Sequence, residues 1–299
     1  METRSIAPGD PDYPPGLMMV DAPPVLRVRG PLVLGNRVAI VGTRKASAES
    51  KQFAADLAAD LSVAGITIWS GGAEGIDAAA HEGGLRGRGG TVVVMPSGLD
   101  RPYPEEDDGL FDRVLASGST IISGFADHEE ARRGRFFRRN TLLVACVPAL
   151  VVVQCPFQSG ARNAAGAART FSRKIGVVPN SPWEKHGGGW REEARLGAKL
   201  IYGARDVFEL LGLPPPPSRQ ASLFQEDVLA GLPELERRIA TAIRDGARHV
   251  DAVCDALSEP ASQVTRALLA LVLRGTVIEG QNGLALASPA PSRQSAVPP

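Results

Sequence analysis

Apolar positions along this chain fall in short unbroken runs, each ended by a small-residue or polar turn. Val38-Ala39-Ile40-Val41, Ile66-Thr67-Ile68-Trp69, Thr91-Val92-Val93-Val94-Met95, Thr120-Ile121-Ile122-Ser123, Ala149-Leu150-Val151-Val152-Val153 and Ile175-Gly176-Val177-Val178 all have this form. Runs of four or five apolar, often β-branched residues predict strands covered on both faces. Between them the pattern changes to helical spacing over Ala48 to Leu61, from about Ala73, over Thr141–Val147 and over Ala164–Ser172. Strand and helix alternating at these intervals predict a doubly wound, mostly parallel sheet. Ahead of it, Val25-Leu26-Arg27-Val28-Arg29-Gly30 alternates like a half-exposed strand.

The pattern also divides the chain. Residues 1–30 are proline-rich and read as an extension, and residues 31–210 carry the sheet. Residues 211–231 hold four consecutive prolines, which cannot continue a helix and make a semi-rigid linker. Over 232–288, three helical stretches (Leu232–Arg244, His249–Leu257, Ser262–Arg274) precede a hairpin around Gly280-Gln281-Asn282-Gly283, the outline of a small winged helix. Its third helix offers only Arg266 and Arg274 among apolar residues, a poor groove reader that better suits protein contact or packing within an oligomer. Residues 289–299, rich in proline and serine, predict a disordered tail.

Candidate chemistry gathers at the ends of the predicted strands. Gly42-Thr43-Arg44-Lys45-Ala46-Ser47 follows the first strand, and Ser70-Gly71-Gly72-Ala73-Glu74-Gly75-Ile76-Asp77 follows the second. Gln158-Ser159-Gly160-Ala161-Arg162-Asn163 follows the fifth. Turns of this kind leave backbone N–H groups free at one sheet edge and let a phosphate approach closely. A polar loop after Ser123 carries Arg132, Arg133, Arg135, Arg138 and Arg139 around Phe136 and Phe137, ending at Asn140. Arginines interleaved with aromatics suit a nucleic-acid strand, with phosphates on the cations and a base on a ring. The plain alternative is a solvated charged surface.

Composition narrows the choice. A net charge of zero makes any nucleic-acid surface a local patch rather than a property of the whole chain. No G-x-G-x-x-G, Walker A, nucleophile-elbow or paired-histidine metal motif is present, so no catalytic residue, cofactor or metal site is expected. Asp77 and His81 stand four apart on one helix and could touch, as a surface or capping pair or as a dyad. The three cysteines have no CxxC spacing and read as reduced, buried thiols. With no apolar run long enough for a membrane span and no signal-peptide pattern, a cytoplasmic protein is expected.

These turns resemble the signatures of the DNA-processing protein A (DprA/Smf) family. The resemblance rests on Gly42–Ser47, on Ser70–Asp77 with Ala80-His81, and on Phe136-Phe137-Arg138-Arg139-Asn140. Tyr13-Pro14-Pro15, Pro24-Val25-Leu26 and Gly30 add to it, so that it covers residues 13 to about 205. The resemblance implies an extended Rossmann-like, homodimeric, non-enzymatic protein. Such a protein binds single-stranded DNA without strong sequence preference and loads the RecA recombinase during natural transformation. It implies that Arg44 holds a phosphate and that Ser70, Gly71, Gly72, Ala73 and Gly75 cradle another. Gly42, Ser47 and Asp77 would fix those turns, while Arg135, Phe136, Phe137, Arg138, Arg139 and Asn140, with Ser159 and Gly160, would line the pocket. The chain departs from the family pattern at Gly124, Thr141, Pro148, Arg162, Asn163 and near Trp190-Arg191. A phosphoribohydrolase-like nucleotide enzyme on the same fold is the competing reading, but Ser159-Gly160-Ala161-Arg162 lacks that family's Pro-Gly-Gly-x-Gly-Thr run and its following glutamate. An interaction scaffold is a third.

Overall fold

The structure is a computed structural model that describes residues 2–105, 109–215, 231–280 and 283–286. Its contacts divide into two units, residues 1–215 and 216–299.

The first unit is built on a nine-stranded sheet in the order β1-β2-β6-β5-β4-β3-β7-β8-β9. The strands are β1 Arg4–Ile6, β2 Leu26–Arg29, β3 Arg37–Val41, β4 Thr67–Ser70, β5 Thr91–Met95, β6 Thr120–Ser123, β7 Ala149–Val152, β8 Lys174–Val177 and β9 Lys199–Leu200. From β6 through β9 all neighbours are parallel, whereas β2 runs antiparallel to β6 and β1 antiparallel to β2. The helices are α1 Ala48–Val63, α2 Ile76–Gly84, α3 Leu110–Ala116, α4 Arg133–Ala145, α5 Gly160–Thr170, α6 Trp190–Arg195 and α7 Ala204–Leu211.

Alternation along each strand sends side chains to opposite faces. Val38, Ile40, Ala149 and Val151 pack under α1, α2 and α7. Ala39, Val41, Leu150 and Val152 pack under α4 and α5. A parallel sheet covered on both faces explains why its strands read as continuous apolar runs.

Several expectations need correction. Residues 1–30 are not an extension, because β1 and β2 lie in the sheet and Tyr13 and Leu17 are buried in its core. The strand expected over Val25–Gly30 is β2, whereas β1, of three residues, is too short to show a period. Beyond the last strand read from the sequence, at Ile175–Val178, a further strand follows, since β9 pairs with β8. The arginine-rich stretch is not a loop, since α4 begins at Arg133. It does so without a capping side chain or an acidic first turn, the usual sequence signs of a helix start. Helix α2 starts at Ile76, not Ala73, and α5 at Gly160, not Ala164. The acidic run Glu105-Glu106-Asp107-Asp108, expected in a solvated loop or at a helix start, lies outside the described residues apart from Glu105. No helix among the described residues is long and apolar enough to cross a membrane.

In the second unit, α8 Glu234–Arg244, α9 Val250–Leu257 and α10 Ala261–Leu273 precede an antiparallel pair, β10 Val277–Gly280 and β11 Gly283–Leu286. Ile239, Ile243, Val253, Val264, Leu268 and Leu271 form its core with Val277 and Leu284, the expected winged helix. Arg274 pairs with Glu236, and Leu269 and Leu273 of α10 are exposed. Most of the expected linker, the Gln281-Asn282 turn and the tail lie outside the described residues.

Candidate functional site

The strand order reverses beside β3. After β3 the chain builds β4, β5 and β6 on one side, and then α4 carries it back to β7 on the other. At such a switch point the turns leaving the two central strands diverge and open a crevice at the carboxyl ends of the strands. Here that crevice has a volume of about 670 Å³ and lies between the turn after β3, the outer face of α4 and the turn after β7.

The first turn is stitched to the second and third. Thr43 donates its N–H to Gln154 O at 2.8 Å, and Ile76 donates to Thr43 O at 3.3 Å. Ser47 N donates to Gln154 Oε1 at 3.0 Å, while Ser47 Oγ accepts from Ser50 N at 3.2 Å and caps α1. Gly75 makes this possible. Its φ is +89°, and a β-carbon there would lie 2.4 Å from Thr43 O. Buried Gln154 escapes a reading of motifs. Its only sequence signal is a polar residue closing the otherwise apolar run Ala149–Val153.

Beneath the crevice lies a buried ion pair. Arg139 Nη1 is 3.7 Å from Asp77 Oδ2, and both side chains are 7% exposed. That separation is too long for a hydrogen bond, so Arg139 Nε and Nη1 have no hydrogen-bond partner. A β-carbon on Gly71 would sit 1.1 Å from Arg139 Nη1, so only glycine admits the guanidinium. Burial pushes the Asp77 carboxyl above its ordinary range, with Arg139 and the N–H groups of Gly42, Ala73 and Gly71 opposing it. Burial likewise lowers Arg139, with Asp77 opposing. Asp77 does not touch His81 as a hydrogen-bonded dyad. His81 Nδ1 lies 2.7 Å from Thr91 Oγ1, whose one proton goes to Ile68 O, so Nδ1 is the donor. Burial, with a contribution from Arg139, brings His81 down to about 3.

At the crevice mouth the Arg44 guanidinium lies 5.2 Å from the Phe136 ring centre and 5.6 Å from that of Tyr103. It donates to the Tyr103 hydroxyl at 3.2 Å, and the two rings meet edge to face at 5.2 Å. Tyr103, in the segment after β5, is a second group that motif reading misses, although its ring is adjacent to Phe136.

Helical spacing sorts the α4 residues. Arg133, Phe136, Phe137 and Asn140 stand at i, i+3, i+4 and i+7 and line the crevice together with Arg139. Asn140 Nδ2 donates to Gly160 O at 3.2 Å and Asn163 Oδ1 at 3.1 Å. Arg135 and Arg138 turn elsewhere, each 5.3 Å from the Phe125 ring centre, and Arg135 pairs with Glu129. Of the second turn only Ala73 lines the crevice, together with Asp77 beyond it. Ser70 is fully buried and donates its hydroxyl to Ile40 O at 2.6 Å, and Gly72 faces Val93 and Phe111. Gly42, Ser159 and Gly160 line the crevice, with Ser159 also capping α5 through Arg162 N at 3.2 Å. The departures at Arg162 and Asn163 thus have local partners, Asn163 with Asn140 and Arg162 with Glu193.

Comparison with known proteins gives this arrangement a family. The family model described as DNA recombination-mediator protein A matches residues 4–212, and the DprA winged helix domain matches residues 214–280. A protein of Mycobacterium tuberculosis assigned as DNA processing protein DprA is 37% identical over 195 residues, 64% of this chain and 50% of that protein. The chain therefore spans about half the length of that curated relative. A structure of DNA processing protein A from Helicobacter pylori, described for its single-stranded DNA binding mode, superposes with a TM-score of 0.63 at 26% identity. The match covers 70% of this chain and 95% of that one. DprA from Streptococcus pneumoniae superposes with a TM-score of 0.64 at 27% identity, covering 70% and 74%. With the first family model spanning most of the sheet-bearing unit and the second most of the rest, this chain belongs to the DNA recombination-mediator protein A family.

Proposed function

We propose that the crevice binds single-stranded DNA, with a phosphate on Arg44 and a base against Phe136 or Phe137. The observation that carries this reading is the Arg44 guanidinium set beside two rings, in a crevice also lined by a buried arginine with two unpartnered nitrogens. Cations beside aromatic faces, backed by turn N–H groups, suit a backbone threaded past stacking bases. Among the described residues the crevice's lining carboxylate is Asp77, already held by Arg139 and three N–H groups, which favours binding over attack on a glycosidic bond. In line with the family, the bound strand is passed to the RecA recombinase during transformation and recombination. The protein acts there as a cytoplasmic homodimer without catalysis of its own.

Anisotropy of a labelled oligo-dT at two salt concentrations tests the reading. The wild type is expected to bind more tightly than to duplex and to lose affinity steeply with salt. Arg44→Ala is expected to weaken binding alike for all sequences and to reduce the salt slope by about 1. Unchanged affinity in that variant would remove Arg44 from the interface.

A further inference from the structure

Beside the crevice, on the turn after β7, Phe157 is 59% exposed, while its neighbours Pro156 and Gln158 line the crevice itself. An exposed ring on a turn is commonplace, but this one is braced. The Arg162 guanidinium lies 4.9 Å from its ring centre, and Arg162 Nη1 donates to Phe157 O at 2.7 Å. Arg162 Nε in turn donates to Glu193 Oε1 at 2.8 Å, and that carboxylate is 1% exposed and also pairs with Arg169. Arg162, anchored on the buried Glu193 carboxylate, thus fixes both the backbone and one face of Phe157, leaving much of the ring in solvent. Fixing a ring in advance lowers the ordering cost of stacking a flat partner on it. Across the crevice mouth, Phe137 of α4 is 48% exposed.

We infer that Phe157, clamped by Arg162, is a stacking platform for a nucleobase, so that the strand held at Arg44 continues across the mouth of the crevice past Phe137 to the turn after β7. The inference rests on the crevice binding single-stranded DNA. It also gives Arg162, a departure from the family pattern, a positioning role.

The test uses the full chain with two probes, oligo-dT and an abasic oligonucleotide of the same length. Phe157→Ala removes a mostly exposed ring and keeps the hydrogen bond from Arg162 to the Phe157 carbonyl, so its thermal melt should stay close to the wild type. Its affinity for oligo-dT should fall about tenfold, the scale of one lost base stack. Its affinity for the abasic strand and its salt slope should stay unchanged, because no phosphate contact is lost. Phe157→Trp should restore affinity and show tryptophan quenching, beyond that of the wild type, with oligo-dT but not with the abasic strand. Phe157→Leu should not restore it. Wild-type affinity in Phe157→Ala, or an equal loss for both probes, would overturn the platform while leaving the crevice intact. Failure of the wild type to bind either probe would overturn the crevice reading, and the platform with it.

Discussion

At the residue scale, His81 ties the stability of the fold to pH. Its folded-state value of about 3 stands against about 6.5 in the unfolded chain, because burial and nearby Arg139 oppose the imidazolium. Between those values the unfolded chain binds a proton that the folded chain refuses. The contribution is therefore complete above about pH 6.5 and is lost as pH falls toward 3, by up to about 1.4 kcal/mol per pH unit. From pH 7.5 to pH 5 the loss through this residue should be about 2 kcal/mol. His81→Asn keeps a donor for Thr91 Oγ1 and cannot titrate, so urea unfolding at the two pH values should show a correspondingly smaller loss. Equal losses in both proteins would mean that the imidazole is protonated in the fold. The sequence placed His81 one turn from Asp77 but could not show that Thr91, ten residues on, takes the hydrogen bond instead.

At the element scale, α4 positions more of the crevice than any other described helix, and its start has little local support. Its N-cap is Arg132, which makes no side-chain cap, and Arg133 and Arg135 put positive charge at the positive end of the helix dipole. By contrast Ser47 caps α1 and Ser159 caps α5. The helix forms because Leu142, Leu143, Val144 and Ala145 are buried in the core against the sheet. That is why its first half read as a loop: local signals spoke against a helix, and the packing that overrides them is not local. Arg132→Asp would supply both a cap and a favourable charge, and urea unfolding should show a gain of about 1 kcal/mol. The same variant should bind oligo-dT more weakly with a shallower salt dependence, since a cation near the strand becomes an anion. A gain in stability with unchanged affinity would place the start of α4 away from the DNA.

At the scale of the whole molecule, the central strands were legible because burial on both faces makes them unbroken apolar runs, and the turns at their ends because glycine and small polar residues mark them. At the edges β1 and β9 were not, being only three and two residues long, and β2, legible as a strand, takes its place only by pairing with β6 across nearly a hundred residues. The division into units has a physical counterpart in the cores. Among the described residues, the sheet's clusters draw on residues up to Leu213 and the winged helix's cluster on Leu232 and beyond. Every described residue lining the crevice lies between Val41 and Ala164. A chain ending at Pro215 therefore keeps each strand, each turn and both faces of the sheet that shape the site, and it should unfold cooperatively. Because net charge over the full chain is zero, attraction of a polyanion arises from the local arginines, which the shortened chain retains. Its oligo-dT affinity and salt slope should match those of the full chain when measured by anisotropy. A folded 1–215 chain that has lost binding would instead assign the DNA contact to the winged helix, and Arg44→Ala would then leave the full chain's affinity unchanged.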